Sequence, residues 1–157
     1  MSEKIEVGYT RAAGVGGFGI FHKYILYTNS AGERFYARGG PGYFGPGAAD
    51  GGTSEASTSP FGNIKTKDGE YNQGTPDWDF ARDPNNTNPD IAPHPREVIT
   101  EGNDLGPTWD RIKEIMRDVD SRDIPYNPKS TNSNASVDEA IRRAGLPSPQ
   151  LDVPGQY

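Results

Sequence analysis

The chain contains no cysteine. Disulfide scaffolds, thiolate-bound zinc and cysteine nucleophiles are therefore excluded. Histidine is nearly as scarce, with only His22 and His94. Leu, Ile, Val and Phe together make 26 of 157 residues, a share under the rough 20% line associated with disorder. Eight Tyr and two Trp add apolar area to that small stock. The length suits one domain, residues 1–157, with a small core and long loops. No long hydrophobic run is present. The best stretch, GFGIFHKYILYT, is interrupted by His22 and Lys23, so no transmembrane helix is expected. The opening MSEKIEVGYTR has no apolar segment of the kind an ordinary signal peptide carries, so synthesis in the cytoplasm without such a peptide is expected. The net charge is −6 and positive charge is nowhere concentrated along the sequence. No nucleic-acid partner is expected, because tracking phosphates requires a basic stripe.

Aromatic and β-branched residues are concentrated early. GFGIFHKYILYT, the turn Asn29-Ser30-Ala31-Gly32 and ERFYAR predict a β-hairpin over residues 18–38. Ile20, His22, Tyr24 and Leu26 share one strand face, and Phe21, Lys23, Ile25 and Tyr27 the other. Both faces are largely apolar, which predicts a central strand. Residues 39–60 are rich in Gly, Ser and Thr and read as a loop. Asn63–Tyr71 reads as one or two short strands around an Asp68-Gly69 turn. Residues 72–95 are rich in Pro, Asn and Asp and read as a second long loop. Asp83, Asn85 and Thr87 imitate the start of a calcium loop. Asn88 then stands where Gly is needed and His94 where Glu is needed, so neither a metal nor a cofactor is expected. Trp109, Ile112, Ile115, Met116 and Val119 predict a helix over 107–120, with Pro107 in its first turn. Val137, Ala140, Ile141 and Ala144 predict another over 132–144. Ser136 and Glu139 have capping-box spacing, and Gly145-Leu146-Pro147 is a stop signal. Residues 148–157 read as a loose tail. The fold class expected is α+β, an antiparallel sheet packed against two or three helices.

Chemistry has two candidate carriers. His94 lies between two prolines and reads as a surface residue. His22 lies within the predicted central strand, as either a packed residue or a site residue. Ser133 stands in STNSNAS, where the last helix begins. Small polar residues there satisfy free N–H groups as caps. The same N–H groups and the helix dipole also stabilise negative charge developing on a nucleophile's substrate. Ser133 is four residues before Val137, which places it on the buried stripe if the helix starts by Asn132. Tyr36 and Arg38 on the second hairpin strand, and Asn132 and Asn134 beside Ser133, are the candidates for orienting His22 or donating to an oxyanion.

The order of these pieces, a strand with His22, then RIKEIMRDVDSRDIPYN, then STNSNASVDEAIRRAGL, resembles the circularly permuted NlpC-type, papain-like hydrolases. The resemblance covers roughly 17–38 and 109–146, with Ser133 where that group has cysteine. It implies a papain-like α+β scaffold in which Ser133 attacks an amide or ester carbonyl and His22 is the base. FHKY, FYARGGP and NSNA also resemble small bacterial domains associated with contact-dependent toxins and type VI secretion. That likeness implies a secreted effector acting on cell-wall peptide or lipid, with an immunity or secretion-apparatus protein as partner. Two other readings stand beside it: a non-catalytic binding domain on the same scaffold, and a structural component of a secretion or phage particle.

Overall fold

The computed structural model describes residues 2–11, 21–41, 63–72, 96–125 and 133–150. Five strands, β1 (Glu3–Arg11), β2 (Phe21–Thr28), β3 (Arg34–Pro41), β4 (Ile64–Glu70) and β5 (Arg96–Gly102), form one antiparallel sheet in the order β4-β3-β2-β1-β5. Helices α1 (Gly106–Ser121) and α2 (Ser133–Arg143) are the two among the described residues. The fold class is thus α+β. The hairpin lies where its two apolar faces require, with β2 in the middle of the sheet. Its turn is held by Asn29, whose Oδ1 accepts from the N–H groups of Ala31 and Glu33 at 3.0 and 2.9 Å. Gly32 supplies the positive φ of 83° that this turn needs.

Strand alternation divides the apolar residues between two layers. Ile5, Val7, Tyr9, Ile25, Tyr27 and Ala37 pack against Trp109, Ile112, Ile115 and Met116 of α1 and Val137, Ala140 and Ile141 of α2. The other face carries a smaller cluster of Tyr24, Leu26, Tyr36 and Tyr71. There Tyr71 stacks on Tyr24 with centroids 6.0 Å apart. The guanidinium groups of Arg34 and Arg96 lie 5.4 and 5.7 Å from the Tyr71 ring centre. Cations scattered along the sequence are thus gathered on one sheet face by its period of two.

The start of α1 is held by a distant strand residue and the end of α2 by its own sequence. The Glu3 carboxylate accepts from the Leu105 N–H at 2.7 Å, at the start of α1, and from the Tyr27 hydroxyl at 3.0 Å. Burial, then this carboxylate, pushes the Tyr27 phenol up to about 12. At the end of α2, Gly145 has φ 75°, Leu146 N–H bonds to Ile141 O and Gly145 N–H to Arg142 O. This is the Schellman arrangement expected from Gly145-Leu146.

Several expectations are corrected. Asp68-Gly69 makes no turn. Asp68 and Gly69 pair with Ala37 and Tyr36 in one continuous β4, because a full row of ladder bonds outweighs a local turn preference. The loop expected from Gly39 begins later, since Gly39, Gly40 and Pro41 pair with β4. Ser136 is inside α2 and buried, so it is not a cap. β1 and β5 are two further strands not expected from the sequence. Gln150 N–H bonds to the Glu97 carboxylate at 2.8 Å, so the tail is tied to β5 as far as that residue. Most of the 39–60 and 72–95 segments, with Asp83, Asn85, Thr87 and His94, lies outside the described residues.

Asp118 joins the two helices. It accepts from Arg122 at 2.6 Å and from Arg143 at 2.8 Å, and Arg122 also reaches Glu139 at 3.2 Å. Hydrogen bonds from Arg143, then Arg122, hold the Asp118 carboxyl below its ordinary value. A depressed folded-state pKa contributes stability above the unfolded value of about 3.9. That contribution is lost as pH falls through the folded value. The melting-temperature difference between wild type and Asp118→Asn should therefore be present at neutral pH and close as the solution is acidified below the aspartate range.

Candidate functional site

The sheet splits at its centre. β2 and β3 pair from Thr28↔Arg34 to Ile25↔Ala37 and no further. β3 continues along β4 to Pro41↔Ile64, and β2 continues along β1 to Phe21↔Arg11. The same register carried on would set Lys23 opposite Gly39. Instead, the Lys23 N–H donates to Oδ1 of Asn134 at 2.7 Å. A side-chain amide from the first turn of α2 thus does for Lys23 what a β3 carbonyl does further along the ladder. The start of α2 sits in the mouth of the split.

The local sequence of α2 explains this docking. Small residues open the helix, and Asn134 and Ser136 are 3% and 2% exposed. Val137, Ala140 and Ile141 then present the apolar stripe to the sheet. One turn beyond Asn134, Asp138 receives the Lys23 ammonium at 2.9 and 3.1 Å. Lys23 is 3% exposed while Asp138 keeps 41% of its side chain in solvent. The buried cation is therefore paired bidentately with a carboxylate that water still reaches.

His22 pairs with Thr10 in the β1–β2 ladder. It immediately precedes Lys23, as Ser133 immediately precedes Asn134. The Lys23–Asn134 bond therefore brings the backbone on either side of these two candidates together. Ser133 belongs to α2, four residues before Val137, and so has the helical phase of the buried stripe. The side chains of His22 and Ser133, and all of Asn132, lie outside the described residues. The strand residues that face the helices are the odd-numbered ones, Lys23 and Ile25, and Tyr27, which stacks on Trp109 of α1. Position 22 has the opposite parity.

The other candidates are placed as follows. Tyr36, 5% exposed, lies opposite Leu26 in the cluster on the second sheet face. Arg38 lies opposite Lys67 with the same strand parity. Asn134 orients the strand through its acceptor oxygen, and that oxygen is committed to Lys23. Lys23 and Asp138 are site residues not expected from the sequence. The available signal was a lone lysine within an otherwise apolar strand. Among the described residues no group of three or more His, Asp or Glu side chains is placed to hold a metal ion, and no helix is long and apolar enough to cross a membrane.

Removing the Asn134 amide leaves a buried N–H on Lys23 without its acceptor, a loss of about 1–3 kcal/mol. Asn134→Ala should lower the urea midpoint accordingly. Asn134→Asp, which keeps an acceptor oxygen, should retain more of it. No protein-family model matches the sequence, and no curated protein or solved structure matches it.

Proposed function

We propose that this chain is a Ser–His acyl hydrolase or acyltransferase on a permuted papain-like scaffold, acting on amide or ester bonds. One observation carries the reading. The strand bearing His22 runs past the N-terminal turn of the helix bearing Ser133, and the residues that follow them are joined by a 2.7 Å hydrogen bond. In the reaction, the Ser133 Oγ attacks the acyl carbon while its proton passes to His22. The N–H groups of the first α2 turn lie where helix geometry directs them at a developing oxyanion. Collapse of the tetrahedral intermediate breaks the bond to the amine or alkoxide, which leaves with the proton held by His22. Water, or a second nucleophile, then takes the acyl group from Ser133 and restores the hydroxyl. Cell-wall peptide or lipid is the substrate class, and delivery to another cell as a bacterial effector is the setting, as the NSNA and FHKY resemblance implies.

The test is covalent labelling with a fluorophosphonate. Wild type should gain the phosphonyl mass on the peptide containing Ser133, and Ser133→Ala should gain none. Equal labelling of both proteins, or none of either at high reagent concentration, overturns the reading.

A second reading, a binding domain without catalysis, is favoured by the strand parity of position 22, which matches Tyr24 and Leu26 rather than Lys23. It expects no phosphonylation and no ester turnover.

A further inference from the structure

We infer that Lys23 is a positioning residue for the Ser133 site; this rests on the Ser–His reading above. Its backbone N–H holds Asn134 at 2.7 Å and its ammonium holds both carboxylate oxygens of Asp138 at 2.9 and 3.1 Å. Asn134 and Asp138 are four residues apart, one above the other on a single face of α2. Two attachments one turn apart, from one strand residue, fix both the rotation of α2 about its axis and its slide along β2. They act beside the buried stripe of Val137, Ala140 and Ile141 and the Arg143–Asp118 and Arg122–Glu139 pairs, and they are made at the N-terminal half of α2. Ser133 lies in the turn that the first attachment pins. Misplacement of reacting groups by about 1 Å costs on the order of a hundredfold in rate.

The groups around the ammonium support this role over a purely stabilising one. Tyr9, the β1 partner of Lys23, is fully buried. Its phenol is held protonated by burial, with the charges of Glu97 and Asp138 adding to that effect. A lysine in such surroundings costs desolvation, and an apolar residue of similar volume is often neutral or better for stability. Asp138, being partly exposed, rehydrates when the lysine is removed. Stability and catalysis should therefore separate.

The experiment measures p-nitrophenyl butyrate turnover and urea unfolding for wild type, Lys23→Met, Lys23→Arg and Asp138→Asn. Lys23→Met should lower kcat at least tenfold, leave KM within twofold, and keep the wild-type urea midpoint or raise it, whereas Asp138→Asn, which leaves the buried ammonium without its carboxylate, should lower kcat as much and lower the urea midpoint as well. Lys23→Arg, which keeps a cation for Asp138, should recover most of kcat. Wild-type kcat in folded Lys23→Met and Asp138→Asn overturns the inference while sparing the Ser–His reading. A loss of kcat that only follows a loss of folded protein also overturns it. Should Lys23→Met fail to fold, Asp138→Asn decides, with its kcat taken per folded molecule, without urea and at a temperature well below its own unfolding. An inert wild-type chain overturns the Ser–His reading and this inference with it.

Discussion

Ser133→Ala should reduce hydrolysis of an activated ester by at least about a thousandfold, because a nucleophile and its base act as a unit whose parts are not separately dispensable. His22→Ala should lose as much, and the double variant little more. The accompanying stability change separates this role from capping. Ser133 is the first residue of α2 rather than the residue before it, so alanine there removes a hydroxyl without removing an N-cap. The melting temperature of Ser133→Ala should therefore hold. A cap would instead cost about 0.5–2 kcal/mol on truncation and leave turnover untouched. Full turnover in Ser133→Ala, measured beside its thermal unfolding, sinks the catalytic assignment.

Gly8→Val should destabilise the fold by about 1–3 kcal/mol, the usual penalty for forcing extra atoms into a packed core. Propensity points the other way, since valine is a better strand residue than glycine. Packing decides the sign. Gly8 lies opposite Tyr24 on β2 and Arg96 on β5, and the Tyr24 ring lies over it. A Cβ at position 8 would fall on that ring. Tyr24 is fully buried and stacked on Tyr71, so it has nowhere to retreat without unstacking the second-face cluster. Chemical unfolding of Gly8→Val, Tyr24→Ala and their combination measures this. The penalty should shrink in the Tyr24→Ala background, giving a coupling of about 0.5–3 kcal/mol. Additive effects would show that the ring is not the obstacle.

The elements legible in the sequence were those specified by neighbours close in the chain. The α1 stripe of Trp109, Ile112, Ile115, Met116 and Val119 is buried residue for residue as its spacing implied. The Gly145-Leu146 stop and the Asn29–Gly32 turn also formed, since caps and turns satisfy hydrogen bonds within a few residues. β5 was illegible for a physical reason. Its register against β1 shifts between Ile5 and Glu6, pairing them with Thr100 and Val98. The bulge breaks the period of two, leaving Val98 48% exposed while Ile99 packs on the core. β1 carried a period-two signal, Ile5, Val7 and Tyr9 between Lys4, Glu6 and Gly8, but nothing local showed which strands would flank it.

The sequence by itself thus determined the two amphipathic helices and the central hairpin. Only the tertiary structure decided that β2 and β3 part after Ile25 and Ala37, that α2 opens into the gap, and that Lys23 is spent on Asn134 and Asp138 across more than a hundred residues of chain. Helix stripes and turns are written in contacts three or four residues apart. The split of a sheet and the partner of a buried lysine depend on which distant surfaces meet, and that is settled only when the layers pack.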